Sequence, residues 1–194
     1  MIVTEQSKLS VEDYLTLEEE TGERHEYMGG EVRMMAGTTL EHEMIVKRLI
    51  RLLDECLETK GCTLVTGQMK MYTPRCDTSF LYPDIHIYCG EIKKKKLPMG
   101  AYALVEPILI IEVLSKGTRN YDRGDKFDCY RRMTTLQSYV MIEGDIDNHE
   151  PAMYVRTWKG GDGFEEKTMK LKDTLDILGC PLPGEAVYGA LQDI

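Results

Sequence analysis

The chain has 194 residues, 42% hydrophobic and 29% charged, with a formal net charge of −9, the balance of an ordinary globular protein. The acid excess argues against a surface that is basic throughout, and so against tight non-specific nucleic-acid binding, while leaving room for a local basic cleft. No apolar run approaches the roughly 20 residues of a membrane span, and Met1-Ile-Val-Thr-Glu-Gln lacks the basic start and apolar core of a signal peptide.

A cytoplasmic protein without a membrane partner is therefore expected. The length suits one domain with a sizeable core, here residues 1–194, with a core of about 24–145 and a C-terminal hairpin and tail over 150–194. Cys56, Cys62, Cys76, Cys89, Cys129 and Cys180 show no C-x-x-C spacing. Without a secretion signal, reduced and mostly buried thiols are expected.

In chain order, Leu9 to Glu20 reads as a short amphipathic helix capped by Ser10 and closed by Gly22. Arg24 to Ala36 reads as a hairpin turning at Gly29-Gly30. A strong helix follows from about Leu40 to Lys60, with Met44, Ile45, Leu49, Leu52, Leu53, Cys56 and Leu57 as its apolar stripe. Cys62 to Tyr72 reads as one strand, or two with a kink at Gly67, and Pro74 to Ser79 as a loop. Tyr82 to Cys89 is a strand with Asp84, His86 and Tyr88 on one face. Gly90 to Gly100 is a charged excursion, and its Lys93 to Lys96 run reads as a solvated loop or hairpin tip. Leu104 to Ser115 is apolar on both faces, as a central covered strand is. Tyr121 to Arg132 reads as a helix despite Gly124, and Leu136 to Glu143 as the next strand. Pro151–Trp158 and Glu165–Met169 form a hairpin around Lys159-Gly-Gly-Asp-Gly, ahead of a tail with a short terminal helix. The predicted class is α/β (α+β): a mixed central sheet flanked by helices, with an added N-terminal helix and hairpins.

Two carboxylates stand out because each falls within a strand-forming run, where burial costs free energy unless a charge, a proton or a metal compensates. Asp84 opens one run and Glu112 closes the other, and their separation leaves room for a loop and a returning strand. On adjacent strands the two acids would make a hard-oxygen site for a divalent cation. Asp122, Lys126 and Tyr130 then follow at i, i+4 and i+8, on one helix face. That face reads either as a surface Asp–Lys pair or as a lysine directed at the site.

Pro83-Asp84 followed by Glu112-Val113-Leu114 resembles the PD-(D/E)XK nuclease signature. Leu114 stands where that signature has its lysine, and Lys126 on the following helix is the candidate replacement. The longer string resembles the Uma-type family of restriction-endonuclease-like proteins. It comprises Arg24 to Gly37, His42, Tyr82-Pro-Asp-Ile, Glu106 to Ser115, Asp122, Lys126, Tyr130 and Leu136-Gln-Ser-Tyr-Val. The resemblance implies the restriction-endonuclease-like fold and a metal-dependent endonuclease acting on DNA. Asp84, Glu112 and the backbone carbonyl of Val113 would hold magnesium or manganese. Lys126 would position the attacking water and offset transition-state charge. His42, Glu26, Glu31, Asp122 and Tyr130 are supporting candidates, with Glu41 or Glu43 as further acids. The alternative is a catalytically inactive module of the same fold that binds nucleic acid or a protein. A homodimer is plausible, because a double-strand cut needs two sites.

Overall fold

The computed structural model describes residues 8–35, 37–158 and 163–189. Ser10 starts helix α1 (Val11–Thr21) by accepting the Asp13 amide at 3.1 Å, and Gly22 ends it at φ 67°. Strands β1 (His25–Met28) and β2 (Glu31–Met34) pair antiparallel across Gly29 and Gly30, whose φ values of 58° and 97° suit a tight two-residue turn. Thr39 caps α2 (Leu40–Thr59), which buries Ile45, Leu49, Leu53 and Leu57 along one stripe.

Gly67 separates β3 (Cys62–Thr66) from β4 (Met71–Thr73), and the two enter different sheets. Short strands follow: β5 (Ser79–Leu81), β6 (Ile85–Cys89), β7 (Lys94–Lys96) and β8 (Tyr102–Leu104), with a 3₁₀ turn at Pro98–Gly100. The chain then makes β9 (Leu109–Leu114), a helical rod, β10 (Ser138–Glu143), β11 (Ala152–Thr157) and β12 (Glu165–Lys170). The rod joins α3 (Arg119–Tyr121), a π-helical turn (Asp122–Lys126) and α4 (Phe127–Tyr130). A small hairpin of β13 (Thr174–Ile177) and β14 (Cys180–Pro183) leads to α5 (Gly184–Tyr188).

The architecture is mixed α+β, as expected, but two six-stranded sheets replace the one predicted. The first has the order β2-β1-β5-β4-β8-β7, and the second β12-β11-β10-β9-β6-β3. In the second, β9 and β10 run parallel and the other neighbours antiparallel. The first sheet escapes the sequence pattern because β4, β5, β7 and β8 have 3 residues each, too few to show a period of two. Two expectations change with it. The loop predicted at Pro74 to Ser79 ends in β5, and the lysine run is an edge strand rather than a loop tip. The Lys159 to Asp162 turn lies outside the described residues.

Three apolar clusters hold these layers together. Ile85, Ile87, Ile111, Val113, Val140 and Ile142 on one face of the second sheet pack against the α2 stripe. Its opposite face, with Ile110, Leu114, Tyr139 and Met141, packs against Phe127 and Tyr130 of the rod and Met71 and Leu81 of the first sheet. Helix α1 covers the outer face of the first sheet through Tyr14 and Leu15 on Tyr27 and Phe80. The cysteines depart from expectation: they pair as Cys56–Cys180, Cys62–Cys89 and Cys76–Cys129. The pairing is invisible in local spacing because the partners lie 124, 27 and 53 residues apart.

Two outcomes test this packing. Denatured without reductant, the chain should take up no thiol label. Gly144→Ala should destabilise by about 1–3 kcal/mol in urea denaturation, since a Cβ there would stand 2.5 Å from the Leu114 carbonyl oxygen.

Candidate active site

The register of β6 on β9 aligns the two acids. Ile85 pairs with Ile111 in an antiparallel ladder, which places Asp84, one residue before β6, opposite Glu112. The isoleucines face α2 while the acids face the rod and the first sheet. Each acid takes the other strand's amide. The Asp84 N–H donates to Glu112 Oε2 at 3.1 Å, and the Val113 N–H donates to Asp84 Oδ2 at 2.7 Å. His42, in the first turn of α2, brings Nε2 to 3.1 Å from the same Oδ2.

The rod supplies the cation. Lys126 Nζ stands 2.9 Å from Glu26 Oε1, 3.0 Å from Glu112 Oε1 and 3.4 Å from Asp122 Oδ1. Tyr130 donates its hydroxyl to Glu112 Oε1 at 2.9 Å. Asp122 and Lys126 bound the π-helical turn, a distortion that recurs at functional sites. Glu26 arrives from β1 and accepts the Tyr82 amide at 3.2 Å, and burial, then the Glu26 charge, raises the phenol of Tyr121 beside it. Tyr139 fixes the rod from β10 by donating to the Asp122 carbonyl at 2.9 Å.

Four carboxylates thus meet one ammonium and one imidazole, with Glu26, Glu112, Asp122 and Lys126 all buried. Burial pushes Glu112 well above the usual carboxylate range; Lys126 opposes this, and Asp84, Asp122 and Glu26 reinforce it. Asp122 is raised for the same reasons. Asp84, with its side chain 21% exposed, goes the other way. The hydrogen bond and charge of His42, the Val113 amide and Lys126 outweigh its desolvation and hold it below the usual range. Burial disfavours charge on Lys126, yet Glu112, Glu26, Tyr130 and Asp122 raise it well above the ordinary lysine value. It is an ammonium at every physiological pH.

The structure therefore gathers Asp84, Glu112, Lys126, His42, Glu26, Asp122 and Tyr130 into one cluster. Glu31 is left out. It shares the face of Glu26 but sits at the turn end of the hairpin, where it is exposed. Glu43 is also exposed and reaches the cluster only through its charge on His42. Tyr121, Tyr139 and the Val113 amide belong to the site without having been singled out. For Tyr121 and Tyr139 the one sequence clue is a place beside a candidate residue or on an adjacent strand.

Among the described residues, no three His, Cys, Asp or Glu side chains are grouped to hold a metal ion by themselves. Magnesium does not need three: it is commonly held by one or two carboxylates, with water and substrate oxygen completing the shell. Asp84 Oδ1 accepts no hydrogen bond from the described residues, whereas both Glu112 oxygens are engaged. The Val113 carbonyl projects from β9 on the same side as its N–H, toward Asp84. The excess of acid over base is what a divalent cation would offset. The residues present fit the group.

A family model described as "Putative restriction endonuclease", Uma2, matches residues 11–171. The chain belongs to the Uma2 family. It is 30% identical over 178 residues to the uncharacterized protein slr1290 of Synechocystis sp. (strain ATCC 27184 / PCC 6803 / Kazusa), covering 88% of this chain and 91% of that one. Uncharacterized protein sll1609 of the same organism is 29% identical, covering 74% and 79%. A crystal structure described as "a putative nuclease belonging to DUF820 from Anabaena variabilis ATCC 29413" shares the fold at a TM-score of 0.66 and 15% identity, covering 86% of this chain and 90% of that one. The restriction-endonuclease-like architecture of Uma2 proteins is thus that of this chain.

The site makes stability depend on pH. Burial lowers the His42 value, but the hydrogen bond and charge of Asp84 outweigh it and raise the imidazole above its ordinary 6.5. The stabilisation is complete below the unfolded value and is lost as pH climbs through the folded one. Urea denaturation at stepped pH should show stability falling above about 6.5, and His42→Gln should remove that component. The raised Glu112 contributes with the same sign from lower pH, so the difference between wild type and variant isolates the histidine. Lys126→Met, which strands three buried carboxylates, should cost about 3–5 kcal/mol.

Proposed function

We propose that this protein is a metal-dependent endonuclease that hydrolyses phosphodiester bonds of DNA. The observation that carries the reading is the buried Lys126 ammonium, 3.0 Å from Glu112, on the strand beside Asp84. Family membership supports a nuclease; the acids, the lysine and their charge imbalance support the chemistry.

Asp84, Glu112 and the Val113 carbonyl are the ligands this reading assigns to magnesium or manganese. The bound ion would supply Lewis-acid polarisation of the phosphate and a water of lowered pKa. The chain's own groups do the positioning. His42 and the Val113 amide fix Asp84 as a carboxylate. Tyr130 and Lys126 fix the Oε1 side of Glu112. Burial, then the Glu112 charge, holds the Tyr130 phenol well above its ordinary range, so it acts as a donor. Burial disfavours charge on Lys126, but Glu112, Glu26, Tyr130 and Asp122 outweigh it, so Lys126 enters as an ammonium donor. Its role is to donate to a non-bridging phosphate oxygen or the attacking water, and to balance charge as the phosphorus gains its fifth oxygen. The net reaction adds water across one P–O ester bond, giving a phosphate monoester and a free hydroxyl.

Asp84→Ala and Glu112→Ala should each abolish divalent-dependent cleavage of duplex DNA and weaken manganese binding in calorimetry. Lys126→Arg, which keeps the charge, should fold, retain manganese binding and lower kcat by about 10²–10³-fold. Undiminished cleavage by either alanine variant would sink the assignment. A wild-type chain that takes up no manganese would instead favour the non-catalytic binding module.

A further inference from the structure

One row of side chains crosses the first sheet from edge to edge. The strand registers run Arg33, Glu26, Leu81, Met71, Leu104 and Lys94, all on one face. Glu26 enters the site. Leu81, Met71 and Leu104 are buried under the neighbouring layer. The row emerges again at Lys94, in the edge strand β7, four strand spacings and so about 19 Å from β1.

At that edge the charge is concentrated and unneutralised. Lys93 is bound to Glu106 at 2.7 Å. Lys94, Lys95 and Lys96 are exposed, and no carboxylate pairs with them among the described residues. This happens in a chain with 33 acidic and 24 basic residues. Lysine on an edge strand discourages edge-to-edge association, but a single charge serves that purpose. Here the charges come with aromatic rings. Lys94 Nζ lies 4.8 Å from the centroid of Tyr102, and Lys95 Nζ lies 4.6 Å from that of Tyr72. Tyr102 pairs with Lys96 across the strands and is 44% exposed.

Lys94 and Lys96 lie on one face about 6.6 Å apart, close to two axial phosphate steps of a nucleic-acid strand, about 6.8 Å. Ammonium groups tracking a backbone beside an open aromatic ring are the elements of a single-strand platform.

We infer that β7, with Tyr102, is a second DNA-contact surface remote from the cleft, whose lysines take backbone phosphates and whose tyrosine stacks on an unpaired base. The inference rests on the nucleic-acid reading above, but its test does not need turnover. Binding is read in EDTA by fluorescence anisotropy, with labelled single-stranded and duplex DNA of about 30 nucleotides, over roughly 50–200 mM salt. The triple variant Lys94→Gln, Lys95→Gln, Lys96→Gln should reduce the slope of log K against log salt by about 1.4 to 1.8, the share of the Lys94 and Lys96 charges on the Tyr102 face. The triple Lys→Arg variant should keep the wild-type slope, which separates lost charge from lost structure. Tyr102→Ala should weaken single-strand binding about tenfold and leave the duplex nearly unchanged. A glutamine variant with the wild-type slope, or a wild type that binds neither DNA, overturns the inference. So does a Tyr102→Ala chain that binds the single strand as before, for the stacking part. Equal slopes with intact cleavage refute this surface alone. A reduced slope in a chain that never cleaves refutes the nuclease reading alone.

Discussion

A lysine ammonium in an apolar interior costs several kcal/mol unless it is paired and hydrogen-bonded, and Lys126 has three carboxylates around it. Those acids come from three places: Glu26 from the first sheet, Glu112 from the second, and Asp122 from the rod itself. The ammonium is therefore the polar seam between two sheets that otherwise meet through Met71, Leu81, Ile110 and Leu114. The apolar contacts set how close the layers come. The charge sets which side chains face one another, because a shifted register would leave Lys126 or an acid buried alone.

The same seam drives neighbouring carboxylates apart in proton affinity. Asp84 is kept ionised by His42 and the Val113 amide, while Glu112 is raised by burial and by three other acids. Desolvation and the neighbouring charges thus push two carboxylates on adjacent strands in opposite directions. The reciprocal amide bonds between β6 and β9 make this arrangement rigid. Neither acid can turn away without giving up a backbone donor, so their geometry precedes anything that binds there.

Legibility in the sequence followed periodicity. Asp84 and Glu112 were visible because an acid inside a strand-forming run is costly, and Asp122, Lys126 and Tyr130 because helical spacing aligned them. Helix α2 announced itself through its stripe. The first sheet did not, since its three-residue strands carry too little pattern, and with it went the reading of Lys94 to Lys96 as a loop. Glu26 and Glu31 could not be ranked from sequence. They lie on the same hairpin face, and only the packing of β1 against the rod decides which one is buried. The π-helical turn and the cysteine pairs were invisible because they depend on tertiary contacts rather than on local spacing.

Leu114 shows why the lysine comes from the rod. It follows Glu112 by two residues and so faces the same side of β9, fully buried in the cluster formed with Phe127, Tyr130 and Met141. A lysine at that position would have to carry its charge through apolar neighbours, all of which would lose packing. From the rod, the Lys126 ammonium arrives on the Oε1 side of Glu112, leaving Oε2 to the Asp84 amide. The two oxygens of one carboxylate thus separate two jobs: one holds the lysine and Tyr130, the other faces Asp84. A lysine reaching from β9 itself would start from the neighbouring position on the same strand, and the rod would then lose the charge that ties it to both sheets. A lysine on the rod lets one cation serve both the packing of the layers and the chemistry proposed between Asp84 and Glu112.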